Sequence, residues 1–319
     1  MNLDFYTNLI LTWKISISVT LNQNINYFCA VLNIIMKRKI IPGEIATKDL
    51  HQYIIGAVAP RPIAFVSTLN EDGVHNLAPY SFFNAFSSNP PIVVFSSNRR
   101  VTNNTTKDTL HNVRVNGECV VNVVPYNIVR QMSLASVEFP TGVSEFVKVG
   151  LTPEPSETIQ APRVLESPVN MECVVKDIIE LGIHGGAGHL IICEVKMIAV
   201  SESVLEGDRL NPHKLDLMGR MGRNYYVRAS GAAVMEIYQS VTEIPIGFDG
   251  LPRHIRESKV LTGNDLAAIA SLTSFPTAAD VDLAHLPNGV DELSLHQSAA
   301  YLVRSGKVKE ALFLLMSKP

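Results

Sequence analysis

The residues best equipped for chemistry gather between Pro60 and Thr109. Pro60-Arg61-Pro62 holds a guanidinium between two residues of fixed φ. An Asn70-Glu71-Asp72-Gly73 turn leads to Asn76-Leu77-Ala78-Pro79-Tyr80-Ser81-Phe82-Phe83-Asn84. Ser96-Ser97-Asn98-Arg99-Arg100 comes next, and Lys107-Asp108-Thr109 opens a helix. Cations, hydroxyl and amide donors and a helix start together suit an anionic group with a polar tail. Free N–H groups and partial positive charge at a helix N-terminus favour a phosphate, and Arg or Lys adds charge-assisted bonds. Tyr80, Phe82, Phe83 and Phe86 can wall a flat ring. Taken singly, Arg61 and Lys107 also read as solvated cations. Ser96 and Ser97 also read as a strand end, and the phenylalanines as core. The residues alone therefore specify an anion site without a particular ligand.

A second candidate is His189, which follows Gly185-Gly186-Ala187-Gly188 at the start of an apolar strand. Glycines there permit close backbone approach. A structural histidine fits the same position, and His184 is a rival in the same loop. The glycine run is not a dinucleotide fingerprint, because no GxGxxG stands between a strand and a helix.

The elements that must position these residues are mostly strands. Pro62–Thr68 alternates and stops at the Asn-Glu-Asp-Gly turn, whose Asp and Gly tolerate left-handed backbone. Val74–Phe86 is extended, and Ile92–Ser97, Glu118–Val124, Val169–Asp177 and His189–Val200 are apolar strands. Short strands parted by Gly, Pro, Asn and Asp predict an antiparallel barrel or sandwich. Asn104–Val115 and Ile128–Ser136 read as helices. Phe139–Thr158, interrupted by Pro and Gly, reads as a long ordered loop of the functional or lid kind.

Beyond about Gly231 the pattern turns helical. A short helix is expected at Ala232–Gln239 and one capped by Asn264 over Asn264–Leu272. Asp291–Met316 follows 3.6-residue spacing, with Gly306 either parting two helices or tolerated within one.

Composition narrows the class. The chain has 319 residues, 46% hydrophobic and 18% charged, with formal charge -3. No basic block gives the footprint of a nucleic-acid binder. Cys29, Cys119, Cys173 and Cys193 show no CxxC or Cys/His spacing, which argues against zinc. Reduced thiols in apolar runs suit a cytoplasmic protein. The apolar stretches near the N-terminus fall short of the roughly 18–20 residues of a membrane span. Their charges stand in the wrong order for a signal peptide. Met36 is the expected start; residues 1–35 are read as a non-native or disordered extension, or a peripheral one.

The stretches PRPIAFVST (60–68), NLAPYSFFNAFSSNPPIVVFSS (76–97), KDTLHN (107–112), GHLIICEV (188–195) and LMGRMGRNYYVR (217–228) together resemble the flavin reductase-like, FMN-binding split-barrel family. Within it the chain is similar to the reductase partners of nitrilotriacetate monooxygenase. The resemblance spans roughly Ile40 to Arg228. It implies a mainly β fold, a six-stranded split barrel with short helices, over 36–230. The tail, 231–319, lies outside it as an α-helical extension. It further implies a homodimer with FMN at the subunit interface, NADH or NADPH as electron donor, and a possible monooxygenase partner. On matching positions Asn76, Ala78, Tyr80 and Ser81 lie along the isoalloxazine and ribityl chain. Ser97, Asn98, Lys107, Asp108 and Thr109 gather near the ribityl and phosphate end. Arg61 and, more loosely, Arg220 reach the cofactor, and His189 stands beside the flavin as the catalytic candidate. The implied activity is NAD(P)H-dependent FMN reduction. A flavoprotein oxygenase or oxidase acting on a small molecule, and a non-catalytic FMN binder, remain the alternatives.

Overall fold

The computed structural model describes residues 37–237, 240, 242–283 and 291–317. The expectation for 1–35, with Cys29 in it, lies outside the described residues. The chain divides into two compact units, parted between Val234 and Met235.

The first unit is built on one seven-stranded antiparallel sheet. Its strands are β1 (Ala64–Leu69), β2 (His75–Tyr80), β3 (Phe83–Ser88), β4 (Pro91–Ser96), β5 (Glu118–Asn122), β6 (Val169–Glu180) and β7 (His189–Val200), in the order β2-β1-β5-β6-β7-β4-β3. The two strands at the ends of that order, β2 and β3, are consecutive in the chain. Only Ser81 and Phe82 separate them, a link that spans about 10 Å at most. The sheet must therefore roll until its edges meet. Since β2 pairs only with β1 and β3 only with β4, the barrel stays split along that seam.

This explains the departure from six strands. The extended run at Val74–Phe86 is two strands, because the chain changes sheet edge at Ser81-Phe82. Phe82 is tied instead to β4, its carbonyl accepting the Ser96 amide at 2.8 Å.

β1 is buried on both faces, and its side chains alternate with the period of the pleat. Ala64 and Val66 join Phe95, Leu110, Val113 and Ile191 on one face. Phe65 joins Met132, Phe146 and Val149 on the other. Enclosing a side chain such as Phe65 completely contributes about 2 kcal/mol.

Helix α1 (Thr47–Ala57) precedes the barrel, and α2 (Asp108–Asn116) enters it between β4 and β5. The helix expected from Asn104 starts only at Asp108. The one expected at Ile128–Ser136 is α3 (Val129–Leu134). The stretch read as a loop at Phe139–Thr158 contains α4 (Glu145–Val149) and a short strand, Pro153–Glu154. Phe146 and Val149 are buried in the core, so tertiary packing supports a helix too short to announce itself by periodicity.

Cys119, Cys173 and Cys193 are free and buried on the neighbouring strands β5, β6 and β7. The Cys119 and Cys193 sulfurs lie 3.8 Å apart. Thiol contact with Cys119, with burial behind it, pushes the Cys173 thiol well above its ordinary pKa. No helix among the described residues is long and apolar enough to cross a membrane.

The second unit is helical. Its longer helices are α5 (Gly263–Ala270), α6 (Glu292–Arg304) and α7 (Val308–Met316), around a core that includes Leu251, Ile255, Ile269, Ala299, Leu312 and Leu315. Gly306 lies between α6 and α7, so the expected pair of helices is present. The cap of α5 is Thr262, not Asn264. Thr262 accepts from the Asp265 amide while the Asp265 carboxylate accepts the Thr262 amide at 2.9 Å, the reciprocal capping box. At Ala232–Gln239 the described part holds a 3-10 turn, Gly231–Ala233, and no α-helix.

Candidate functional site

Where β2, β4 and α2 meet, five of the sequence-predicted residues come together. Asn76 on β2 donates from Nδ2 to Thr109 Oγ1 at 2.9 Å and to Thr68 Oγ1 at 3.1 Å. Asn112 on α2 donates to the same Thr68 oxygen at 2.9 Å. This network pins the first turn of α2 to the β1–β2 pair. Lys107 is the N-cap residue of α2, in extended backbone with no side-chain cap. The first N–H groups of the helix therefore lack the usual local acceptor.

The Lys107 ammonium stands 4.9 Å from the Tyr80 ring centroid and forms no ion pair among the described residues. Burial, with Arg100 close by, pushes its pKa below the ordinary lysine value. The Tyr80 and Ser97 hydroxyls are buried without a closed hydrogen bond, although Tyr80 faces both Ser97 and Thr109. Burial pushes the Tyr80 phenol up to about 12, so it is a neutral donor at any physiological pH. A buried hydroxyl without a partner costs on the order of 1–3 kcal/mol. Two beside an uncompensated ammonium make a cradle whose natural complement is an oxyanion.

The other predicted residues fall into separate groups. Arg61 is buried, and its guanidinium is spent on the fold. It donates to the Ile55 and Val58 carbonyls at the end of α1, at 2.6 and 2.5 Å, and to the Met221 carbonyl at 3.2 Å. Only a long contact of 3.4 Å reaches Ser81 Oγ. Arg220 pairs with Arg61 through the backbone and lays its guanidinium 4.5 Å from the Tyr226 ring centroid. Asn98 accepts from Ser96 Oγ at 2.8 Å and donates to the Gly186 carbonyl at 3.2 Å. Asp108, in the first turn of α2, accepts from Thr141 at 3.4 Å. Ala78 lies on β2 opposite Val66.

His189 is fully enclosed. Its Nδ1 is 2.9 Å from the Ser97 carbonyl oxygen, which requires the proton on Nδ1. Its Nε2 is 3.8 Å from a Glu180 carboxylate oxygen, beyond hydrogen-bond reach. The glycine run before it is structural. A Cβ on Gly188 would sit 2.5 Å from Ser96 Oγ and 3.3 Å from Asn98 Oδ1, and Ala187 accepts the Arg99 amide at 2.8 Å. Backbone bonds between 97–99 and 187–189 thus carry the β4–β7 pairing past both strand ends and aim Ser97.

The phenylalanines divide: Phe83 packs, half-buried, against the core of Ala64, Val66 and Phe95. Phe86 is 68% exposed, and with Phe82 and Phe83 it lines a cavity of about 410 Å³ that also reaches Ser96 and Asn98. Thr68, Asn112 and Glu145 are residues the sequence reading missed. Glu145 accepts the Leu77 amide at 2.9 Å, and burial raises its pKa. Thr68 and Asn112 end the stretches 60–68 and 107–112, but only long-range contact gives them a role, and Glu145 stands in no motif.

Residues 56–216 match the flavin reductase like domain, just over half of the chain. The chain belongs to that family. A protein of Aquifex aeolicus (strain VF5) is 38% identical over 189 residues, covering 59% of this chain and 94% of its own. Among solved structures, nitrilotriacetate monooxygenase component B from Bacillus cereus is similar, with 32% identity and TM-score 0.59. That match covers 64% of this chain and 99% of the other. A 2-nitrobenzoate 2-nitroreductase from Pseudomonas fluorescens is 28% identical with TM-score 0.57, over 65% and 99%. A flavin reductase with a split-barrel domain from Shewanella frigidimarina, at 21% identity and TM-score 0.53, shares the fold. Membership makes the function of this chain flavin-linked oxidoreduction.

Proposed function

We propose that this protein is an NAD(P)H-dependent flavin reductase that holds FMN non-covalently and transfers hydride to it. The observation that carries the reading is the oxyanion cradle at the start of α2: the Tyr80 and Ser97 hydroxyls, buried without partners, and the half-buried Lys107 ammonium against the Tyr80 ring. An FMN phosphate and ribityl chain supply the acceptors and donors this set lacks. Lys107, Thr109 and the free N–H groups of α2 hold the phosphate. Ser97 and Tyr80 hold polar oxygens next to it. The segment 76–81, from β2 into the link after it, would line the ring, with Phe82 next to it.

Once bound, FMN supplies the redox chemistry, taking up hydride and passing electrons on. The protein's own task is positioning. His189 acts through its bond to the Ser97 carbonyl, which fixes the Ser97 hydroxyl. Arg61 acts by tying α1 and Met221 to the Ser81 end of β2. We read the chain as a cytoplasmic homodimer with the flavin at the subunit interface; the exposed edge strand β3 supports the pairing. Its similarity to a monooxygenase component B supports electron delivery to an oxygenase partner.

Aerobic purification with an absorbance spectrum, then anaerobic titration with NADH and NADPH, tests this. The expected result is a yellow protein, or stoichiometric uptake of added FMN, bleached by a reduced nucleotide. A colourless protein that ignores added FMN refutes the reading. Bound flavin that neither nucleotide reduces would transfer the assignment to an oxidase or oxygenase.

A further inference from the structure

A second cavity, of about 840 Å³, lies away from the cradle, between α1 and the hairpin turn 221–225. Arg38, Asp49, Tyr53, Met221, Arg223 and Tyr225 line it. Tyr53 and Tyr225 expose 46% and 67% of their surface, so two aromatic faces are free. Arg38 and Arg223 form no ion pair among the described residues, which leaves two guanidiniums against one carboxylate, Asp49.

The turn is closed by the Met221 amide on the Tyr225 carbonyl at 3.0 Å and the Tyr225 amide on the Gly222 carbonyl at 3.2 Å. It is pressed against α1 so closely that a Cβ on Gly222 would lie 3.1 Å from Gly56 Cα. At its apex Arg223 has φ +53, a left-handed conformation that glycine adopts freely and arginine resists. Strain of this kind persists where the surroundings impose it and is concentrated at ligand sites.

Two unpaired guanidiniums beside aromatic rings are complementary to a nucleotide bearing a phosphomonoester. A monoester carries about -1.5 to -2 charge near pH 7 and three free oxygens, which a guanidinium fork binds bidentately. The bridging phosphates of a dinucleotide offer less charge and fewer free oxygens each. The geometry points to this cleft as the site of the adenosine 2′-phosphate end of NADPH, and hence to NADPH over NADH as electron donor. This rests on the reductase reading for its role but not for its chemistry. Arg61 links the wall of the cleft to the end of β2, donating to the Met221 carbonyl at 3.2 Å and reaching Ser81 Oγ at 3.4 Å. In addition, His51 of α1 lies 6.1 Å, centroid to centroid, from Phe82.

The test is calorimetric binding of 2′-phospho-ADP-ribose and of ADP-ribose, which differ only in the phosphomonoester, to the full chain and to Arg223→Gly. The 2′-phosphorylated ligand should bind at least about tenfold more tightly than ADP-ribose, the scale of one charge-assisted contact. Arg223→Gly should erase that advantage while leaving Tm unchanged or higher, since glycine suits the backbone. A merely structural Arg223 would not separate the two readouts. Equal or no binding of the two ligands, or an Arg223→Gly protein that keeps the preference, overturns the assignment. So does an Arg223→Gly protein that loses FMN affinity, which would give the cleft to flavin. Binding of 2′-phospho-ADP-ribose, which lacks the nicotinamide, requires neither flavin nor turnover, so the result stands apart from failure of the reductase reading.

Discussion

Replacing Lys107 with methionine isolates the phosphate end of the proposed flavin site. The Lys107 ammonium is half-buried, without an ion pair among the described residues, and over the Tyr80 ring, so a phosphate there gains a charge-assisted contact in a partly screened place. Such contacts contribute about 1.5–3 kcal/mol, which is roughly a 10- to 150-fold change in Kd. Riboflavin has the same ring and ribityl chain without the phosphate. Lys107→Met should therefore weaken FMN by that factor and leave riboflavin within about twofold, the behaviour of two groups that meet only each other. Quenching of flavin fluorescence measures both affinities. The free variant should be no less stable than the parent, because burial already disfavours the charged ammonium. Raising pH should weaken FMN binding to the parent from below the ordinary lysine pKa, as the ammonium deprotonates, and should leave the variant's affinity flat. Equal weakening of both flavins, or unchanged FMN affinity, would refute the placement of the phosphate.

Three further outcomes follow from the same contacts. Arg61→Lys should lower stability by about 2 kcal/mol in urea unfolding, because a single ammonium cannot serve the α1 carbonyls and Met221 together; an unchanged midpoint would return Arg61 to a ligand role. Gly188→Ala forces Ser96 and Asn98 aside, so flavin affinity should fall together with about 1–3 kcal/mol of stability; affinity lost with no change in Tm would contradict the bracing described above. In the helical unit, hydrogen bonds from Arg304, ahead of those from Thr262, hold the Asp265 carboxyl at about 2. Because that pKa is depressed, its stabilisation is complete above the unfolded value near 4 and disappears as pH falls through about 2. Asp265→Asn should cost about 2 kcal/mol at neutral pH, and the gap to the parent should close between pH 4 and 2 in denaturation followed by circular dichroism.

The sequence by itself determined the strands and the principal helices, and offered the cradle residues as candidates. Strand periodicity, turn chemistry and helix starts are set by neighbours a few positions apart. Lys107 and Thr109 were legible because a helix start is a local event, and Ser97 because it ends an apolar strand. Tertiary structure alone decided which polar groups remain free to bind anything. Arg61 looks like a ligand in sequence, yet it is claimed in part by the carbonyl of Met221, 160 positions away. His189 looks like a pocket wall and is enclosed, because the β4–β7 pairing brings Ser97 over it. Conversely the Tyr80 and Ser97 hydroxyls stay open because the closed sheet brings them to face each other without closing a hydrogen bond. A free donor is what remains after every long-range bond has formed, and those bonds exist only once the sheet has closed.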